Sequence, residues 1–169
     1  MRIYFVRHAE TILSQKDILS ESGKRQAEKL ALRLRNIEID RILTSSNINA
    51  KQTADIVAKS RSISIEADDL LRSDDAVKME IEQFPELIEQ GKAALNYLET
   101  KNDNSLLVIS HGLLIRILVG IMTFEENFDA EMAKKMLGNF HIHISGITVC
   151  EKTNGSWKLL TWNDYEDLG

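Results

Sequence analysis

The feature that most constrains the fold is a pair of short apolar runs, each followed by a histidine. The first run, residues 2–6, leads to Arg7 and His8, and the second, residues 106–109, leads to His111. Runs of this length that are rich in large apolar side chains are typical of strands covered on both faces of a parallel sheet. Ligands bind beyond the carboxyl ends of the strands in open α/β sheets. The pattern therefore predicts a site that contains both histidines.

Strand-like and helical patterns alternate along the rest of the chain. Further strands are predicted at residues 41–44 and 63–66, and in a carboxyl-terminal hairpin made of 142–151, an Asn154-Gly155 turn and 157–162. Apolar spacing predicts helices at 22–35, 50–57, 77–83, 113–122 and 132–137, and one that starts at Pro85. Ser20 is the predicted N-cap of the first helix, and Ser45 or Ser46 that of the second. These elements predict a three-layer α/β/α sandwich whose sheet is mostly parallel with an antiparallel edge strand.

Composition narrows the classes of partner. The 169 residues, which contain no repeat or linker-like tract, predict a single domain over 1–169. A net charge of −5 argues against nucleic acid or an anionic membrane as the main partner. The apolar run at 113–122 is interrupted by Arg116 and too short to span a bilayer, and no secretory signal pattern begins the chain. Cys150 is the only cysteine, so a cytoplasmic location is predicted, while the oligomeric state stays open.

The residues at the predicted strand ends suit phosphoryl transfer. Neutral imidazole is a competent nucleophile toward phosphorus, and the guanidinium of Arg7 beside His8 can hold phosphoryl oxygens. His111 can hold another oxygen, and the N–H of Gly112 at a helix start adds an anion donor. The reaction also needs an acid that protonates the leaving oxygen.

Five segments resemble signatures of the histidine phosphatase, or phosphoglycerate mutase-like, superfamily. Residues 7–11 resemble its Arg-His-Gly-Glu-Thr motif, and residues 110–112 resemble the motif of its second histidine. Similar matches occur at residues 19–27, 45–54 and 155–164. The chain is thus identified as a member of this superfamily, most similar to its compact phosphatases, which include enzymes that act on phosphohistidine in proteins.

The resemblance implies roles for three residues. His8 would be the nucleophile that becomes phosphohistidine, Arg7 a phosphate clamp and His111 the second catalytic histidine. It implies no metal or organic cofactor. The substrate would be either a small molecule that carries a phosphomonoester or a protein that carries phosphohistidine. Water releases the phosphoryl group in phosphatases, whereas mutases return it to a second oxygen, and the short loop at residues 11–20 argues against a mutase.

Departures from the family pattern leave two questions open. Asn49 stands where a second arginine is expected, and Arg72 stands near the usual position of the acidic proton donor. One hypothesis is that Arg72 reaches into the pocket and replaces the missing cation. The rival hypothesis is a weak enzyme or phosphate-binding pseudoenzyme. The candidate proton donors are Asp74, Asp75, Glu80 and Glu10, and Ser14 is a candidate substrate contact.

Two polar patterns have simpler interpretations. Ser45 and Ser46 are interpreted as helix caps rather than nucleophiles, because neither lies in a Gly-x-Ser-x-Gly elbow. His141 and His143 have a spacing compatible with a metal, but no third ligand is evident, and an ordinary strand face is predicted.

Overall fold

The structure of the protein is a computed structural model that describes residues 1–12, 14–59, 61–73 and 81–165. The strands are β1 Arg2–Arg7, β2 Thr11–Ile12, β3 Gln15–Leu19, β4 Arg41–Ser45, β5 Ile65–Asp68, β6 Ser105–Ser110, β7 Ile147–Thr153 and β8 Ser156–Asp164. The helices are α1 Glu21–Leu34, α2 Ile48–Ala58, α3 Phe84–Glu99, α4 Gly112–Phe124 and α5 Ala130–Asn139. Short 3₁₀ turns occupy 69–71, 81–83 and 125–127.

Six strands form the central sheet in the order β5-β4-β6-β1-β7-β8. β5, β4, β6 and β1 are mutually parallel, whereas β7 runs antiparallel to β1 and β8 antiparallel to β7. The predicted α/β fold with a mostly parallel sheet and an antiparallel edge is confirmed. In the part of the chain that the structure describes, no helix combines the length and apolar character needed to cross a membrane.

The two faces of the sheet carry separate apolar cores. Phe5 of β1 and Val108 of β6 pack with residues of α3, α4 and α5, whereas Val6 and Ile109 of the same strands pack with residues of α1 and α2. Successive side chains of a strand point to opposite faces. The continuous apolar runs therefore follow from burial on both sides of the sheet, as predicted for β1 and β6.

The predicted N-cap of α1 is confirmed, and two other helix predictions are wrong. α1 begins at Glu21 behind the predicted N-cap, Ser20, whose side chain accepts the Gly23 N–H. α2 instead has Asn47 in its N-cap position, so the prediction that Ser45 or Ser46 caps it is wrong. Of the helix predicted at 77–83, residues 77–80 lie outside the described residues, and 81–83 form a 3₁₀ turn.

The strand predicted from residue 142 begins only at Ile147. Ser145 adopts a left-handed backbone with φ of 58°, and its N–H donates to the Arg7 carbonyl oxygen at 3.0 Å. A left-handed residue does not continue a strand. Residues 141–143 therefore form a loop rather than the predicted strand face, and the His143 ring stacks on Tyr165 at 3.6 Å between centroids.

Candidate active site

The two histidines lie together because their strands are parallel neighbours in register. Arg7 of β1 pairs with Ser110 of β6, and the His8 N–H donates to the Ser110 carbonyl oxygen at 2.9 Å. The rings of His8 and His111 are 5.1 Å apart between centroids and inclined at 63°. His8 is 7% exposed and His111 2% exposed. The predicted pairing of both imidazoles at the carboxyl edge of the sheet is thus observed.

The backbone sets the protonation pattern of His8. Its Nδ1 lies 2.8 Å from the carbonyl oxygen of Ala9, its neighbour in the chain. A carbonyl oxygen only accepts hydrogen bonds, so Nδ1 must carry the proton in this contact. The neutral ring then holds its lone pair on Nε2. Nε2 is therefore the atom of His8 that is equipped for nucleophilic attack.

Arg7 is held by the loop that precedes β7 and by the start of α4. Its Nη1 donates to the Ile142 carbonyl oxygen at 2.8 Å, and its own carbonyl accepts the Ser145 N–H. A Cβ atom at Gly112 would lie 3.3 Å from both Cδ and Nε of Arg7, a tight contact. Glycine at the first position of α4 lets the helix backbone approach the arginine side chain closely.

The amino-terminal part of α2 is joined to the end of β1 by Thr53. The Thr53 hydroxyl accepts the Ala9 N–H at 3.1 Å and donates to the Asn49 carbonyl oxygen at 2.8 Å. Asn49 is 6% exposed, and its Oδ1 accepts the N–H of Ala50 at 2.7 Å. Position 49 is therefore buried in the first turn of α2 and carries a neutral amide where the family pattern has a cation.

Ser45 contacts the second histidine. It is the last residue of β4 and fully buried, and its Oγ lies 2.9 Å from Nε2 of His111. The same oxygen accepts the Asn47 N–H at 3.2 Å. The sequence places Ser45 at the carboxyl end of a predicted strand, at the same edge as the histidines, but favours helix capping as its role. Its contact with His111 is the part that the sequence did not indicate.

Glu10 contacts the amino-terminal end of α1. The Glu10 carboxylate accepts the Ser20 hydroxyl at 2.6 Å, and the Glu10 N–H donates to Gln26 Oε1 at 3.0 Å. Gly23 packs directly on the Glu10 backbone. The half-buried Glu10 thus has a clear structural task, and its role as proton donor remains a prediction.

Arg72, the residue predicted to replace the missing cation, follows β5 near the site. The Leu71 carbonyl accepts the Ser110 hydroxyl at 2.8 Å, which puts the adjacent Arg72 backbone at the same sheet edge. The Arg72 side chain, however, is 59% exposed, and its Nη1 lies 3.7 Å from Asp69. Among the described residues it does not contact Arg7 or Asn49, so its replacement of the missing cation remains a prediction. Ser14 is exposed in the turn between β2 and β3, and Asp74, Asp75 and Glu80 lie outside the described residues.

The fold is shared by solved phosphatases. The chain superposes with a TM-score of 0.78 on the alpha-ribazole phosphatase from Shigella flexneri, at 16% identity over 97% of this chain and 96% of that one. It superposes equally well, at 0.78, on the phosphoserine phosphatase from Entamoeba histolytica, at 19% identity over 99% of this chain and 98% of the other. At these identities the likeness establishes the phosphoglycerate mutase-like fold.

Sequence comparison then defines the family. The family described as "Histidine phosphatase superfamily (branch 1)" matches residues 3–90 and 72–165, so the chain belongs to the histidine phosphatase superfamily. It is 30% identical over 155 residues to the "Agropine synthesis reductase" of Rhizobium rhizogenes, covering 72% of this chain and 35% of that protein. It is 33% identical over 98 residues to the "Probable phosphoglycerate mutase GpmB" of Salmonella choleraesuis, covering 53% and 46%. The chain thus spans less than half of either curated relative.

Proposed function

We propose that the chain is a phosphatase that hydrolyses phosphomonoesters through a phosphohistidine intermediate on His8. The observation that carries the proposal is the hydrogen bond between His8 Nδ1 and the Ala9 carbonyl, because it leaves the lone pair on Nε2. His111, with its ring 5.1 Å away, and Arg7 provide donors for the phosphoryl oxygens. Membership of the superfamily supports the same chemistry.

The reaction proceeds in two displacements at phosphorus. In the first, the Nε2 lone pair of His8 forms the N–P bond while the bond between phosphorus and the ester oxygen breaks, and the leaving oxygen takes a proton from a carboxylic acid. In the second, water attacks phosphorus, gives a proton to the resulting carboxylate, and the N–P bond breaks. Inorganic phosphate leaves and His8 returns to its neutral form. Glu10, Asp74, Asp75 and Glu80 stay the candidates for the acid.

The proposed substrate is a small phosphorylated molecule. The low exposure of both histidines, 7% and 2%, favours a substrate whose phosphoryl group enters a recessed site. The solved proteins of the same fold include an alpha-ribazole phosphatase and a phosphoserine phosphatase, both of which are named for small molecules. Phosphohistidine in a protein is the alternative substrate, and it requires that a folded partner present its modified side chain to that recess.

A phosphatase panel tests the proposal. Wild type, His8→Ala and His143→Ala would be incubated with phosphoserine, phosphorylated sugar acids and phosphohistidine peptides, and released phosphate measured. We expect His8→Ala to lose activity by about 10³-fold or more. His143→Ala is the matched control, because the exposed ring of this histidine stacks on Tyr165, and this variant should retain activity. Wild-type turnover no higher than that of His8→Ala would refute the proposal.

The buried amide of Asn49 favours a second candidate, a phosphate-binding protein with little turnover. If the missing cation limits catalysis, Asn49→Arg should raise kcat/KM of a weak wild-type enzyme about 10-fold or more, by adding a charge-assisted donor. Calorimetric titration with inorganic phosphate separates the two functions. Phosphate affinity in wild type without turnover on any substrate of the panel would support the binding protein.

A further inference from the structure

The hydroxyl of Ser45 is confined to two partners. It lies at the carboxyl end of β4, which pairs with β6 through Thr44 and Ile109, so it lies beside the end of β6, one residue before His111. Among the described residues, Ser45 Oγ contacts only the Asn47 N–H, at 3.2 Å, and His111 Nε2, at 2.9 Å. The Asn47 N–H is a donor and occupies one lone pair of the oxygen.

This leaves one place for the hydroxyl hydrogen. Ser45 is 0% exposed, so water does not accept that hydrogen, and a buried hydroxyl is normally satisfied as a donor. His111 Nε2 is the acceptor within reach. The Ser45 hydroxyl therefore donates to Nε2, and a neutral His111 ring carries its own hydrogen on Nδ1. Protonation of Nε2 would leave the serine hydrogen without an acceptor.

We infer that Ser45 is a positioning residue that holds His111 as the neutral Nδ1–H tautomer, so that the Nδ1 atom of this ring carries a hydrogen rather than a lone pair. The catalytic consequence rests on the proposed phosphatase function. Both rings then carry their hydrogen on Nδ1, but they are held through different atoms: His8 through Nδ1 and His111 through Nε2. The Ala9 carbonyl accepts the Nδ1–H of His8 and so puts the lone pair of that ring on Nε2, whereas the Ser45 hydroxyl donates to the lone pair on Nε2 of His111 and so puts the hydrogen of that ring on Nδ1.

The tautomer is measured directly by long-range ¹H–¹⁵N correlation spectra of protein labelled with ¹⁵N-histidine. The His111 signals are assigned from their loss in His111→Asn. We expect the Nδ1–H pattern in wild type and a shift toward Nε2–H in Ser45→Ala. Thr44→Val is the matched control, because Thr44 is equally buried and its hydroxyl bonds the Ser45 carbonyl at 3.2 Å rather than a histidine. An Nε2–H or doubly protonated His111 in wild type at neutral pH, or an unchanged pattern in Ser45→Ala, would overturn the inference.

Kinetics on the same variants give the second readout. Ser45→Ala should lower kcat by about 10- to 10²-fold with a smaller change in KM, because the donor acts on charge that develops in the transition state. Ser45→Thr, which keeps the hydroxyl, should recover both the Nδ1–H pattern and most of kcat, and thermal unfolding identifies any variant that fails to fold. A wild type without phosphatase activity but with the Ser45-dependent tautomer would refute the proposed function alone. Phosphatase activity in wild type, together with a His111 tautomer that is unchanged in Ser45→Ala, would refute this inference alone.

Discussion

Replacing Gly23 by alanine should disturb both the stability of the protein and the loop that carries His8. Gly23 lies in the first turn of α1, where its N–H donates to the N-cap Ser20. A methyl group at this position would overlap the carbonyl oxygen of Glu10 and lie 3.0 Å from its carbonyl carbon and 3.1 Å from its nitrogen. These are backbone atoms two residues after His8, so no side-chain rotation relieves the overlap.

The size of the effect follows from two opposing terms. The overlap with the Glu10 carbonyl oxygen is the closest contact and sets the movement, so restoring an ordinary separation of about 3.5 Å moves helix and loop apart by roughly 1 Å or more. Overpacking of this kind costs about 1–3 kcal/mol, whereas alanine in a helix gains about 1 kcal/mol over glycine. We expect a net loss of up to about 2 kcal/mol in the free energy of unfolding. Displacement of the loop by about 1 Å should lower kcat/KM by about 10²-fold.

The matched control is Gly138→Ala in α5, where an added Cβ meets no atom within 4 Å. That variant should be unchanged or up to about 1 kcal/mol more stable, with wild-type activity. Urea unfolding gives the free energies, with the m-values compared to confirm that the denatured states are alike, and the phosphatase panel gives kcat/KM. A Gly23→Ala protein that is as stable and as active as Gly138→Ala would contradict this prediction.

Three further predictions concern single side chains. Ser20→Ala removes both the cap of α1 and the 2.6 Å hydrogen bond to Glu10 and should cost about 1–2 kcal/mol in urea unfolding; an unchanged midpoint would contradict this. Asn163 has a φ of 48°, a backbone conformation that glycine adopts without strain. The Asn163→Ala protein should therefore be about 1 kcal/mol less stable than the Asn163→Gly protein. Equal urea midpoints for the two variants would contradict this. Burial raises the pKa of the Cys150 thiol from 9.0 to about 12, so its contribution to stability is complete below pH 9.0 and falls as the unfolded chain ionises above it. The free energy of unfolding of wild type, taken relative to that of Cys150→Val, should therefore be lower at pH 10 than at pH 8. The same difference at both pH values would contradict this prediction.

The order of strands and helices could be read from the sequence because periodicity reports burial. Residues 3–6 and 106–109 are apolar without interruption, since helices cover both faces of the sheet, and this pattern is local. The boundary at Ile147 could not be read in the same way. The strand-like spacing continues back to residue 142, and only the hydrogen bond from Ser145 to Arg7, 138 residues earlier in the chain, turns that segment away from the sheet.

By itself the sequence determined that two histidines and an arginine meet at the carboxyl edge of a parallel sheet, because parallel neighbouring strands bring their ends together. Only the tertiary structure decided what each of these groups contacts. The partnership of Ser45 with His111 spans 66 positions and depends on the register of β4 against β6. The direction of the exposed Arg72 side chain toward Asp69 is likewise absent from any local pattern. Periodicity specifies the buried face of an element, whereas side-chain partners depend on how distant elements are placed in three dimensions.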